Sequence, residues 1–233
     1  MKSSARNLHS LAEHAREDGK FLEALKYTDE ATLLYEAEDN LLGLAEVQGS
    51  RFLTFRHLWE KTGRSGYLLL AKHAAMAASE LAIDSGQADA IAMPFFNLGK
   101  AHETMGELSL AIESYKKAVD AQENSPSVHH ARPAVLNDMK VHLFVCEYKN
   151  GNESALAMAE DALHALIDDE SEGSYTKDVW VSGGYMKIAE AIKDKSREKA
   201  NQYFDKASEI IKSNPDLVLR RGQLERLKHV LND

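Results

Sequence analysis

The chain of 233 residues has a single cysteine, Cys146, so no intrachain disulfide can form. A lone thiol fits a reducing compartment. Prolines are also scarce. There are four, Pro94, Pro126, Pro133 and Pro215, which leaves most of the chain free of helix breakers. Alternating β-branched residues are almost absent, and this argues against a sheet. The longest apolar-rich stretch, 68–83, is interrupted by Lys72, His73, Ser79 and Glu80 and makes a poor membrane span. The N-terminal sequence MKSSARNLHSLAEHARED has no apolar core of a secretory signal, so a cytoplasmic protein with no membrane partner is expected. Positive charge is in the minority. A net charge of −9 argues against nucleic acid as a partner, because phosphate neutralisation needs clustered Lys and Arg.

Catalytic signatures are missing as well. The chain has no H-E-x-x-H, no paired C-x-x-C, no G-x-x-x-x-G-K-[ST] and no G-x-S-x-G. His102-Glu103 lacks the second histidine of a zinc protease helix. His142 and Cys146 stand one helical turn apart, a spacing able to share a metal, but two ligands do not make a site. His129-His130 reads as a solvated loop pair. Gly183-Gly184 has no strand before it and forms no phosphate cradle. The expectation is a protein that is not an enzyme, with no catalytic residues, no metal ligands and no cofactor.

What the chain does have is Ala, Leu, Glu and Lys in helical periodicity. The clearest stretch is 95–126. Phe95, Leu98, His102 and Met105 share one helical face; Gly106 interrupts; Leu108, Ala111, Ile112, Tyr115, Ala118 and Val119 share the next. Gly99, Ala101, Ala111 and Ala118 are small enough for two helix backbones to approach closely. The Ala111/Ala118 pair recurs as Ala24/Ala31, Ala155/Ala162 and Ala200/Ala207, with steps of 87, 44 and 45 residues between first members. A copy near residue 68 fits as Leu68/Ala75 or equally as Ala71/Ala78.

Five helix pairs follow, roughly 3–38, 40–84, 87–123, 132–168 and 175–213, within one domain spanning 1–233. In the first pair, Leu8, Leu11, Ala12 and Ala15 form one apolar face and Phe21, Ala24, Leu25 and Ala31 the other. Phe52, Phe55 and Trp59 make a stripe that reads as core. The helix from Pro133 carries two apolar stripes, Leu136/Met139/Leu143/Cys146 and Val141/Phe144/Tyr148. It is either covered on both sides or offers one face to a partner. The polar loop 168–173 is the expected hinge or proteolysis site. A last helix, 215–231, places Leu217, Leu224, Leu227 and Leu231 on one face, as a cap over the final pair does; a dimer contact is the rival. The cap reading makes the chain a monomer rather than a homodimer.

Leu98-Gly99 on the first helix and Ala111-x3-Tyr115-x2-Ala118 on the second resemble the tetratricopeptide repeat (TPR) family. The family period is about 34 residues, so the spacing here implies longer helices or loops. The resemblance implies an all-α fold: a right-handed α-solenoid of about five antiparallel helix pairs plus a C-terminal capping helix. It also implies a protein- or peptide-binding scaffold whose first helices line a groove. By position, that groove takes Phe96, Lys100, Glu103, Asn137, Lys140, Phe144, Tyr148 and Tyr185. The alternative is a regulatory peptide-sensing module acting on a transcription or signalling partner.

Overall fold

The structure, a computed structural model, describes residues 4–232. Among them are eleven α-helices and no strand. They are α1 (Ala5–Glu17), α2 (Phe21–Ala37), α3 (Leu41–Thr62), α4 (Ser65–Asp84), α5 (Ala92–Thr104), α6 (Leu108–Asn124), α7 (Pro133–Lys149), α8 (Ala155–Asp168), α9 (Ser174–Ile192), α10 (Arg197–Ser213) and α11 (Val218–Asn232), with a short 3-10 turn at Ala88–Ala90. The all-α fold of five pairs and a terminal helix is therefore present. The expected start of the first pair at Ser3 lies outside the described residues.

Sequence chemistry explains the boundaries. Gly106 takes φ 77°, a left-handed conformation that costs glycine little, and so reverses the chain between α5 and α6. Pro133 opens α7, where its missing N–H is not needed. α11 begins at Val218 rather than Pro215. The Asn214 side chain accepts the Asp216 N–H at 3.1 Å and holds 214–217 as a turn.

The alanine ladder is the close-packing signal it suggested. Ala24, Ala31, Ala111, Ala118, Ala155, Ala200 and Ala207 are fully buried. Ala71 and Ala78 are fully buried too, while Leu68 is half-buried, so the second pair takes the Ala71/Ala78 register. Gly99 permits an equally close approach: a Cβ there would penetrate the Tyr115 ring of α6. The extra repeat length lies partly in α3 and α4, which run to 22 and 20 residues.

The chain forms two compact units, Met1–Ser127 and Val128–Asp233. In the first, α1 pairs with α2, α3 with α4 and α5 with α6, and the first helices also touch, α1 with α3 and α3 with α5. Phe21, Phe52, Phe55 and Leu58 pack over the small residues Ala71, Ala74, Ala75 and Ala101. Leu11, expected on the buried face of α1, is 43% exposed.

In the second unit, α9 packs on α7, α8, α10 and α11. One continuous core joins all five helices. Leu217, Leu224, Leu227 and Leu231 belong to it, so the leucine face of α11 is buried by its own chain. Arg220 Nε donates to the Val179 carbonyl at 3.0 Å and Lys193 Nζ to the Val230 carbonyl at 3.3 Å, fixing α11 on α9. Both stripes of α7 reach the core, Met139, Leu143 and Cys146 on one and Val141 and Tyr148 on the other, while Leu136 and Phe144 stay half-buried. The loop 168–173, expected as a hinge or proteolysis site, makes polar contacts within itself and to its flanks. Ser171 N–H donates to Asp169 Oδ1 at 2.7 Å, Lys177 Nζ to the Asp169 carbonyl at 2.7 Å, and Arg132 to a Glu172 carboxylate that is 1% exposed.

Candidate partner-binding surface

In the first unit the neighbouring helices α1 and α3 build a polar lane, and α5 lies beside α3. Arg6, His9, Glu13 and Arg16 recur at three- and four-residue steps on α1, which puts them on one face. That face meets α3. Arg6 Nη1 donates to Glu46 Oε2 at 2.6 Å, and Arg16 Nη1 donates to Ser50 Oγ at 3.0 Å. The His9 ring, buried, stands 3.6 Å from Glu46 and 4.0 Å from Glu13. The nearby His9 imidazole, with Arg6 adding to it, holds the Glu46 carboxyl below its ordinary range. Burial pulls the Arg16 guanidinium below its ordinary value, although Glu13 and Glu17 oppose the shift. Arg6, Glu13 and Glu46 are half or more solvent-exposed, so the lane is fixed at one end by hydrogen bonds and open to water. An open recess of about 360 Å³ lies at its Arg6 end, with Ser4, Tyr35, Glu38 and Asn40 in its wall.

The groove residues expected from sequence divide three and five between the units. Phe96, Lys100 and Glu103 form one stripe on α5. Phe96 is 3% exposed, its ring tilted on Tyr115 at 5.7 Å, with Lys100 Nζ 3.7 Å from its centroid. Glu103 accepts the Tyr115 hydroxyl at 2.8 Å.

In the second unit, Asn137, Lys140 and Phe144 are half-buried on α7, and Phe144 packs on the core. Tyr148 is buried, with Lys195 Nζ 5.0 Å over its ring. Tyr185 is buried and stacked on Tyr203 at 5.8 Å, with Lys206 Nζ 5.5 Å away. Burial and the Glu160 hydrogen bond push the Tyr203 phenol up.

Phe96, Tyr148 and Tyr185 are thus core rings rather than groove-facing ones. Lys100, expected to meet a ligand, lies over the Phe96 face of the same chain, a favourable cation–π arrangement. Lys100, Glu103, Asn137, Lys140 and Phe144 keep part of their surface in solvent.

Sequence reasoning missed Arg6, His9, Arg16, Glu46 and Ser50. The signal was present: a polar stripe at helical spacing runs along α1 beside the Leu8/Ala12/Ala15 apolar face. Cys146 is buried and in no disulfide, and His142 is half-buried on the same helix. Among the described residues, no three His, Cys, Asp or Glu side chains converge to hold a metal ion. No described helix is long and apolar enough to cross a membrane.

No protein-family model and no curated protein sequence matches the chain. Solved structures do match. A kinesin-light-chain-like protein of Podosopora anserina with nearly identical TPR-like repeats aligns at TM-score 0.57 and 15% identity, covering 90% of this chain and 96% of that one. A second crystal structure of that protein aligns at TM-score 0.54 and 14% identity, over 98% and 97% of the two chains. BtubC (BKLC) from P. vanneervenii aligns at TM-score 0.57 and 17% identity, over 97% of this chain and 80% of that one.

Proposed function

From its TPR-like helical-repeat fold, we propose that the chain is a protein-binding scaffold and that its first helices hold a peptide. The observation that carries this reading is the lane along α1 and α3, where Arg6 and Glu46 are positioned by hydrogen bonds while still reaching solvent. Side chains fixed before binding lose less freedom when a partner docks. Lys100 and Glu103 extend the surface along α5. Asn137, Lys140 and Phe144 offer a second contact area on α7, within the second unit. The reading assigns no catalysis, and it keeps the sequence-based expectations of a cytoplasmic monomer that binds neither nucleic acid nor membrane. Nothing among the described residues favours a peptide-sensing regulatory module over a plain scaffold.

Photo-crosslinking tests this. A crosslinking amino acid at Glu13 or Lys140 should capture one protein, identified by mass spectrometry, in cells that make the chain. Arg6→Glu combined with Lys140→Glu should abolish capture while leaving the melting temperature in place. Capture that persists in that variant, or that is equally strong from the outward-facing Leu33, contradicts the reading.

A further inference from the structure

His57 of α3 stands where the first helix pair meets the second. Its side chain is 13% exposed. The ring stacks on Phe21, the first residue of α2, with centroids 6.0 Å apart and planes 23° from parallel. Phe21 is itself buried in the cluster of Phe52, Phe55 and Leu58. The stack therefore closes the α1–α2 turn onto α3.

Charges of both signs surround the buried ring. On its own helix, Nδ1 lies 3.2 Å from Glu60 Oε2, and the other Glu60 oxygen accepts Arg56 Nε at 3.2 Å. A carboxylate only accepts, so Nδ1 carries a proton and the neutral ring already satisfies this bond. From α1 the ring faces Arg16, and from α2 it faces the uncharged Phe21. Lys61 Nζ lies 5.8 Å from the centroid of that same Phe21 ring. Arg16 has its own carboxylate in Glu17 at 4.0 Å, with Glu13 also acting on it, so the acid at the ring itself is Glu60, already shared with Arg56 before the imidazole gains any charge. A further buried positive charge in this position is unfavourable. Burial, reinforced by Arg56 and Arg16 and only partly offset by Glu60, holds His57 below the ordinary imidazole value.

We propose that His57 is a proton-operated catch: neutral, it holds the α1–α2 pair on α3 through the Phe21 stack; protonated, it leaves the stack and the pair loosens. The catch is a property of the free chain and does not rest on the binding reading. The sign follows from linkage. The loosened form takes up a proton near the ordinary imidazole value, and the closed form only at lower pH. Closure is complete above about pH 6.5 and is lost as the pH falls from there toward the closed-form value.

Hydrogen exchange of the full chain, read by mass spectrometry and corrected for intrinsic rates, tests the catch. Between about pH 7.5 and pH 5.5, peptides covering 16–25 and 52–60 should lose protection by a factor of up to about ten, while α9 and α10 stay constant. His57→Gln, uncharged throughout, should give a flat profile. Flat protection in the natural chain, or an equal loss in the Gln variant, overturns the proposal. Should the variant fold poorly, the His57 Hε1 resonance of the natural chain decides. A titration midpoint below the free imidazole value, coincident with the loss of protection, is expected, and one at or above that value overturns it.

Discussion

Both units join their helices by apolar packing and polar links, in different proportion: the first has two smaller apolar clusters, and the second, besides its core, links Lys199 and Tyr203 to Glu160. In the first, polar bridges cross between helices: Arg6 and His9 to Glu46, Arg16 to Ser50, and Lys72 to Glu107, which His102 also contacts at 2.5 Å. In the second, one apolar core runs through five helices, and lysines lie over its outer rings, Tyr148, Tyr185 and Tyr203. Hydrophobic burial depends weakly on pH, whereas bridges of this kind change with every proton gained. The first unit is therefore expected to respond more to pH, and the second to the loss of core side chains.

The sharpest way to break this contrast is to remove the cap. Truncation after Asn214 deletes four buried leucines, each contributing roughly 1.5–3 kcal/mol. The second unit should lose its cooperative melting transition and the chain should aggregate in light scattering, while exchange protection in α3 and α4 persists. A soluble truncated chain with unchanged melting would show that α11 is not a cap.

Phe144→Ala with Tyr148→Ala should come next in size. Because Tyr148 is core, the double variant should lose about 3 kcal/mol or more in urea denaturation. The matched pair in the first unit, Leu22→Ala with Leu33→Ala, is 74% and 71% exposed and should change stability by no more than about 0.5 kcal/mol.

Gly99→Ala forces a methyl into the Tyr115 ring and should cost about 1–3 kcal/mol. Its control is Gly66→Ala, in open space on α4, expected to stabilise by about 0.5–1 kcal/mol. Equal effects at both sites would mean that α5 and α6 are not closely apposed.

The smallest expected effect is in acid. Glu46 is held low chiefly by His9, and Glu107 by Lys72 and then His102. For carboxyls shifted down, stability is present above the unfolded value near pH 4.5 and is lost as the pH falls through the lower folded value. Glu46→Gln with Glu107→Gln should flatten that acid limb for the first unit, measured by the intensities of unit-1 amide resonances. An unchanged limb would assign acid sensitivity to other groups.

The helix pairs were legible because close backbone approach demands small residues at fixed spacing, and Ala111/Ala118 and its copies supply them. Gly99 was legible for the same reason. The burial of Phe96, Tyr148 and Tyr185 was not. Helical spacing tells which residues share a face, but not how close the neighbouring helix comes or whether a lysine of the same chain covers the ring. The second-pair register stayed double because α4 is rich in alanine, and only burial distinguishes Ala71/Ala78 from Leu68/Ala75. The loop 168–173 looked free because its acids are local, while Arg132, its partner, lies 40 residues away in sequence. The polar lane on α1 was hidden by its amphipathic neighbour stripe, since a charged face ordinarily reads as solvated surface.

The scaffold reading is tested most directly by a hydrogen-exchange footprint of the chain with its crosslink-identified partner bound. Slowed exchange is expected along α1, α3 and α5, and over 137–144 of α7, with α2, α4 and α6 unchanged. Protection confined to the outward surface of Leu22, Leu33, Leu69 and Leu70 would contradict the account, because the partner would then dock on second helices and leave the polar lane empty.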